Sequence, residues 1–182
     1  MIRSLLIEIG ELFLIFILVF LPIRLFIFEP FIVVGESMEP NFHNADYLIV
    51  CKICTRFSSP QRGEVIVFIP PVNTKKYYIK RIIGLPGEKI LIKDNQIFIF
   101  NKEYNKGFKL EENYIKRENF HMEDMEITLN NDEYFVLGDN RDESFDSRKW
   151  NSQLKKDKII GKVIFRLTIL SKFINIINQT NI

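Results

Sequence analysis

Residues 77–100 read YYIKRIIGLPGEKILIKDNQIFIF, and this stretch decides the fold class. Three apolar runs rich in isoleucine and aromatic residues are separated by two turn signals, Leu-Pro-Gly-Glu at 85–88 and Asp-Asn at 94–95. Short runs of this composition, bounded by glycine, proline and asparagine, are typical of strands. The stretch therefore predicts three consecutive strands joined by tight turns.

The same β-type texture extends over residues 29–182, without an internal repeat of solenoid or propeller type. We expect a mainly β domain with strands at residues 31–34, 47–51, 65–69, 77–83, 89–92, 96–100, 133–137 and 162–167. Residues 101–131 are charged, rich in asparagine and weakly periodic, which predicts a solvated insertion between strands.

The N-terminus differs in texture from the rest of the chain. Residues 9–28, IGELFLIFILVFLPIRLFIF, span about 30 Å as a helix rising about 1.5 Å per residue, which matches a bilayer core. They predict a transmembrane helix after a short N-terminus, residues 1–8. A cleaved secretory signal is the alternative, because Arg3 precedes the apolar run. The exit at residues 26–30 is bulky and acidic, without small residues for cleavage, which favours an uncleaved anchor.

The charge and the cysteines limit the function classes. A formal net charge of +2 gives neither the basic footprint of a nucleic-acid-binding protein nor an acidic tail. Cys51 and Cys54 form a CxxC pair, and a disulfide between them would need a local turn, because positions i and i+3 of a regular strand face opposite sides. With His43 and His121 they could form a Cys2His2 zinc set, although this spacing matches no finger pattern.

Two residues in separate segments indicate a candidate catalytic pair. Ser37 lies in GESMEP at residues 35–40, where a serine between glycine and proline is more often a turn former. Lys80 interrupts an apolar strand, and lysine is rarely buried without a reason. Burial would lower its pKa and leave a neutral amine able to accept a proton from a serine hydroxyl. The alternative is an edge strand with Lys80 pointing to water.

A third segment, GDNRDESFDSR at residues 138–148, follows the strand predicted at 133–137. It is either a surface turn or a source of hydrogen bonds that hold a base in position. A Ser-His-Asp triad is disfavoured, because His43 is too near Ser37 in sequence to curl back to the hydroxyl and His121 lies in the charged insertion.

Taken in order, these segments resemble the conserved boxes of the type I signal peptidases. The matching pieces are the anchor, GESMEPNF at 35–42, RGEVIVF at 62–68, YIKRIIGLPGE at 78–88, GDNRDESFDSR at 138–148 and the late Gly161-Lys162-Val163. The resemblance implies a signal-peptidase-type β domain, similar to that of self-cleaving repressor proteases, with a single N-terminal transmembrane helix.

The resemblance also implies roles for individual residues. Ser37 matches the nucleophile, Lys80 the general base, and Ser144 the hydroxyl that orients the lysine amine. Many relatives carry a hydroxyl residue where this chain has Gly35, so the oxyanion would be held mainly by backbone N–H, in particular that of Ser37. The resemblance further implies an ion pair of Arg81 with Asp139 and a second one of Asp146 with Arg148. It implies no metal and no cofactor.

The implied substrate is a secreted preprotein, cut after small residues at the first and third positions before the bond. The positions that match pocket-lining residues of relatives are Phe31, Val33, Met38, Tyr78 and Ile79. Shallow apolar pockets would exclude larger side chains. The implied location is the plasma membrane near the secretion translocon, with a cytoplasmic N-terminus, a single span of the lipid bilayer and an extracytoplasmic catalytic domain.

Two other functions are compatible with parts of this pattern. A self-cleaving repressor-type protease shares the Ser/Lys chemistry, but the predicted anchor and the lack of a recognisable DNA-binding domain argue against it. A non-catalytic β domain that binds signal sequences is disfavoured, because Ser37, Lys80 and Ser144 are all present.

Overall fold

The computed structural model describes residues 2–116 and 120–168. Helix α1, Ile2–Pro22, is followed by a π-helical turn, Ile23–Ile27, so the helical region ends where the prediction for residues 9–28 ended, to within one residue. The large apolar side chains described from Ile7 to Leu21 are exposed. Across the described ranges, no helix is both long and apolar enough to cross a membrane. The transmembrane span stays a prediction.

The larger sheet has seven antiparallel strands, and it contains the strand that carries Lys80. Its spatial order is β1-β2-β11-β3-β4-β9-β10. The strands are β1 (Phe28–Ile32), β2 (Tyr47–Cys51), β3 (Val65–Phe68), β4 (Tyr78–Gly84), β9 (Glu133–Leu137), β10 (Leu154–Lys155) and β11 (Ile159–Leu167). β1 is an edge strand. Only the Arg81–Gly84 half of β4 pairs with β9, so the first half of β4 is paired only with β3.

The smaller sheet has four strands in the order β7-β6-β5-β8. They are β5 (Lys89–Lys93), β6 (Gln96–Phe100), β7 (Phe108–Lys109) and β8 (Met125–Thr128). The turn between β5 and β6 contains Asp94 and Asn95, both with positive φ, as tight hairpin turns require. The stretch quoted at the outset thus forms β4, β5 and β6, as its pattern predicts.

The predicted strands agree with those observed, apart from some of the ends. β1 and β11 begin three residues earlier than predicted. The main difference concerns residues 101–131, expected as a solvated insertion: they supply β7 and β8, which flank β6 and β5. Met122 and Leu129 from this segment are buried. The weak periodicity of the segment concealed these short strands, because two to four residues are too few to show alternation.

Three apolar clusters hold the sheets in place. The largest joins β4 and β9 to the smaller sheet and contains Ile83, Ile90, Ile92, Ile97, Ile99, Met122, Leu129, Phe135 and Leu137. A second cluster surrounds Phe68 and Trp150. The third, Val33, Leu48, Val50 and Val67, lies under the cleft described below. Each fully buried side chain of this size contributes about 1.5–3 kcal/mol, so the strands that carry the site are firmly anchored.

Cys51 and Cys54 form a disulfide. β2 ends at Cys51, and a short helix, α2 (Cys54–Phe57), begins at Cys54. The chain therefore makes the local turn that a bridge between positions i and i+3 requires. The zinc alternative with His43 and His121 is wrong, because both sulfurs are in the disulfide. In the described part of the chain, no group of three or more potential ligands could hold a metal ion.

Candidate active site

Ser37 and Lys80 lie in contact, although 43 positions separate them in the sequence. Ser37 is in the turn that follows β1, and Lys80 is in the half of β4 that β9 leaves unpaired. Lys80 Nζ donates a hydrogen bond to Ser37 Oγ at 2.5 Å and another to the carbonyl oxygen of Ile79 at 3.0 Å. A hydroxyl and an amine at this distance can exchange a proton directly.

The surroundings of Lys80 favour its neutral form. The side chain is buried, with 4% of the residue exposed, so the edge-strand alternative with Lys80 in water does not hold. Burial lowers the pKa of the amine to about 8, while the charges of Asp146 and Asp139 raise it and that of Arg148 lowers it. At pH 7.5 such an amine is neutral in about one molecule in four, against about one in a thousand for an ordinary lysine.

Hydrogen bonds to two other segments hold the turn that carries Ser37 in place. Gly35 has a φ of +100°, in the region that favours glycine, and its N–H donates to Asn44 Oδ1 at 3.0 Å. The carbonyl oxygen of Ser37 accepts the N–H of Asn140 at 3.1 Å. The N–H of Gly35 is therefore engaged by Asn44, and the positive φ of Gly35 sets the backbone conformation before Ser37.

Ser144 is buried beside the pair, but its hydroxyl makes no hydrogen bond to the lysine amine. Its Oγ has no hydrogen-bond partner among the described residues, so the expected hydrogen bond to Lys80 is absent from this geometry. A Cβ built on Gly138 would lie 2.3 Å from Ser144 Oγ and 2.4 Å from the carbonyl oxygen of Ser37. Gly138 thus allows Ser144 to approach the turn of Ser37 closely.

Arg81 and Asp139, which the resemblance paired, form a buried ion pair behind the site. Arg81 Nε donates to Asp139 Oδ1 at 2.8 Å and Nη2 to Oδ2 at 2.6 Å. Asn41 Nδ2 adds a bond to Asp139 Oδ2 at 2.8 Å. The guanidinium also lies 4.0 Å from the ring centroid of Tyr114. The pair joins β4 to the loop after β9, and so it holds the Lys80 strand against the Ser144 segment.

Asp146 and Arg148 form the other expected ion pair. Arg148 Nε donates to Asp146 Oδ1 at 2.8 Å, and Nη2 donates to Oδ2 at 2.9 Å. Asp146 Oδ2 also accepts the N–H of Gly138 at 3.0 Å. Arg148 Nη2 reaches the carbonyl oxygen of Arg141 at 2.7 Å. These bonds connect the beginning of the loop of residues 138–148 to its end.

Sequence reasoning missed a further part of this network. Arg141 is buried and pairs with Glu112, and its Nε donates to the carbonyl oxygen of Gly138 at 3.2 Å. Tyr114 donates to Glu112 Oε1 at 2.5 Å, and burial followed by the charge of Glu112 raises the pKa of its phenol. Glu112 and Tyr114 come from the segment expected as a solvated insertion, where no pattern in the sequence singled them out.

A cleft of about 600 Å³ opens over Ser37 and Lys80. Of the five predicted pocket residues, Phe31, Val33, Tyr78 and Ile79 line this cleft. Met38 does not line it: only 1% of the residue is exposed. The resemblance to relatives suggested the cleft wall for Met38, but its side chain is packed in the interior.

The histidines lie outside the cleft. His43 is exposed, and its Nδ1 lies 3.5 Å from Glu39 Oε1. His121 is exposed in the 101–131 segment. Neither lines the cleft that contains Ser37. The geometry therefore offers a lysine, and no histidine, as the partner of the serine.

Known proteins with similar sequences and structures include several signal peptidases. Residues 6–168 match the family described as "Signal peptidase, peptidase S26". The chain is 39% identical over 152 residues to Signal peptidase I P of Bacillus subtilis subsp. natto, covering 80% of this chain and 79% of the relative. It is 34% identical over 163 residues to Signal peptidase I T of Bacillus subtilis (strain 168), covering 85% and 81% respectively. A crystal structure of a signal peptidase I from Enterococcus faecalis V583 is similar with a TM-score of 0.50 and 31% identity, over 59% of this chain and 98% of that one.

Proposed function

The chain belongs to the peptidase S26 family of signal peptidases and is a serine endopeptidase, and on that premise we propose that Ser37 and Lys80 carry out its reaction. The observation that carries the proposal is the 2.5 Å contact between Lys80 Nζ and Ser37 Oγ, formed by a buried amine whose pKa is lowered to about 8. The reaction is the removal of N-terminal signal peptides from secreted preproteins.

The neutral amine of Lys80 takes the proton of the Ser37 hydroxyl as Oγ attacks the carbonyl carbon of the scissile bond. The C–N bond then breaks, the ammonium of Lys80 gives its proton to the leaving amine, and the signal peptide remains as an ester on Ser37. The same amine then takes a proton from water, which attacks the ester. The bond between the acyl carbon and Ser37 Oγ breaks, Oγ takes the proton back from Lys80, and the signal peptide is released. Lys80 thus acts as base and acid in turn.

The oxyanion formed in both steps needs donors beside Ser37. We assign this task to backbone N–H, in particular that of Ser37, since Gly35 directs its own N–H to Asn44. Ser144 is assigned as a positioning residue for Lys80: its unpartnered, buried Oγ is available to accept a hydrogen bond from the amine once substrate displaces the present arrangement.

The cleft walls support a preference for small residues at the first and third positions before the bond. Phe31, Val33, Tyr78 and Ile79 surround the approach to Ser37 and leave an apolar, shallow surface. A large side chain would collide with these walls, and a shape limit of this kind discriminates by exclusion. We keep Met38 out of this set because it is buried.

We infer that residues 9–28 hold the enzyme in the plasma membrane, with residues 1–8 cytoplasmic, the catalytic domain outside and the secretion translocon nearby. The inference is supported by the apolar side chains exposed along α1, for which water is an unfavourable environment. Substrate and enzyme held in one lipid bilayer would meet at a raised effective concentration.

The test compares variants in detergent with a preprotein substrate. Ser37→Ala and Lys80→Ala should each lower kcat/KM by about 1000-fold or more, as expected for loss of a nucleophile or its base. His43→Ala, which removes an exposed side chain outside the cleft, is the control and should retain activity. Cleavage that survives Lys80→Ala but not His43→Ala would overturn the mechanism.

A further inference from the structure

Three exposed charged residues line the cleft. Glu36 adjoins Ser37 in the chain, Glu143 adjoins Ser144, and Lys76 adjoins Tyr77. Among the described residues, neither Glu36 nor Glu143 has an ion-pair partner. The mechanism uses none of these three charges.

The backbone ties both carboxylates to the reacting serine. Glu36 directly precedes Ser37, and its carbonyl oxygen accepts a bond from Asn140 Nδ2 at 3.3 Å. Glu143 directly precedes Ser144, which lies against the turn of Ser37 across Gly138. The carboxylates of Glu36 and Glu143 therefore belong to the residues next to Ser37 and Ser144, on backbone that hydrogen bonds hold in place.

Lys76 lines the cleft together with the apolar walls. It lies in the bend before Tyr77, just ahead of β4. The ring of Tyr77 lies 5.4 Å from that of Phe31, one of the residues assigned to the small-residue pockets. When a peptide fills those pockets with the residues before its scissile bond, the bond lies at Ser37, and the residues after the bond leave the cleft past Ser37, which Glu36 adjoins.

We propose that Glu36 and Glu143 are specificity-determining residues that favour positive charge in the first few residues after the cleaved bond and disfavour negative charge there. This proposal rests on the proposed function and adds a charge preference to the substrate class. Unpaired charges at a rim act on encounter and on discrimination more than on the chemical step, and like charges repel. The amine released by cleavage also becomes cationic beside Ser37.

The experiment uses the full chain in detergent and peptides with alanine at the first and third positions before the bond. Three peptides carry Lys, Gln or Glu at the second position after the bond, and a matched set carries the same residues five positions before it. For the wild type we expect kcat/KM to be about tenfold higher for Lys than for Glu after the bond, at low ionic strength. In about 1 M salt, where charges are screened beyond about 3 Å, the ratio should approach one.

The double variant Glu36→Gln/Glu143→Gln should bring the Lys-to-Glu ratio down to about two or less at low salt. Glu123→Gln removes one exposed carboxylate outside the cleft and should keep the wild-type ratio. A ratio that persists in the double variant would overturn the proposal, and so would an equal preference for charge before the bond.

Cleavage of the peptide with Gln distinguishes a failure of the charge proposal from a failure of the proposed function. If wild type cleaves that peptide, Ser37→Ala does not, and no charge preference is seen, the charge proposal alone fails. If wild type and Ser37→Ala cleave it equally, the proposed mechanism itself fails.

Discussion

Lys80 and Arg81 are adjacent in β4, and their side chains extend from opposite faces of the strand into two different regions. On one side, Lys80 meets a serine and a backbone carbonyl in the cleft. On the other side, Arg81 meets the carboxylate of Asp139 through two charge-assisted bonds. Both cations are largely withdrawn from water, but only Arg81 contacts a counter-charge.

This difference explains how one strand can carry both the proposed base and a structural cation. A buried ammonium without an adjacent carboxylate loses solvation without compensation, so its proton leaves more readily. A guanidinium paired through two bonds keeps its charge and joins two segments of chain. Asp146 and Asp139 act on Lys80 only from a distance, and they do not cancel the effect of burial.

The largest effect on stability is expected on the Arg81 side. Asp139→Asn leaves a buried guanidinium without its counter-charge, which costs about 3–5 kcal/mol in unfolding free energy. Urea unfolding of the protein in detergent measures this loss. Asp157→Asn, which alters an exposed pair with Lys158, is the matched control and should change stability by less than about 1 kcal/mol. Equal losses in the two variants would contradict the view that the buried guanidinium of Arg81 depends on its counter-charge.

On the Lys80 side, removing the charge is expected to increase the unfolding free energy. Because the folded protein lowers the pKa of Lys80 from 10.5 to about 8, the unfolded chain binds its proton more tightly. The cost to folding is complete below pH 8, decreases as the pH rises, and vanishes above pH 10.5. Lys80→Met should therefore stabilise the protein at pH 7, by on the order of 3 kcal/mol, and by much less at pH 10.5.

Unfolding of Lys80→Met and wild type at the two pH values measures this difference. Met fills a similar volume without a charge, so packing changes little between the two proteins. Destabilisation at pH 7 would contradict the view that the buried amine is held at a cost to folding.

The smallest effect concerns two charges, Asp146 and Arg148, that shift the pKa of Lys80. Activity should rise with pH up to about 8 as Lys80 loses its proton and level off above that value. Asp146 raises the pKa of Lys80 and Arg148 lowers it, so Asp146→Asn should move the rise of kcat/KM to lower pH and Arg148→Gln to higher pH. The pH profiles of kcat/KM measure both shifts. Shifts in the same direction would show that the two charges do not act on the lysine in this way.

Much of the fold could be predicted from local pattern. The strands observed at Tyr47–Cys51, Gln96–Phe100 and Glu133–Leu137 match the predicted bounds, because alternation and turn residues are properties of neighbouring positions. β7, β8 and β10 were missed, since they are short and owe their formation to the strands beside them. The order of strands in the larger sheet, with β11 between β2 and β3, has no local signal at all.

The residues of the candidate site could likewise be predicted only in part from the sequence. Ser37 and Lys80 were singled out by residue type and by their resemblance to signal peptidases, but each had an ordinary structural explanation in isolation. Two expected positions differ from the structure: Met38 is buried and does not line the cleft, and Ser144 makes no hydrogen bond to Lys80. The direction of a side chain in a turn depends on packing, which the sequence alone does not show. Glu112 and Tyr114 could not be found, since their partners Arg141 and Arg81 are distant in sequence.

The sequence by itself determined the mainly β class, the apolar N-terminal segment, the order of the family's segments and the residue types of the site. Only the tertiary structure decided that Lys80 is buried, that its amine contacts Ser37, and that Arg81 and Arg141 have carboxylate partners. The physical reason is that a pKa depends on the solvation and charges around a group in space. Residues brought together by sheet pairing supply that environment, and their separation along the chain does not reveal it.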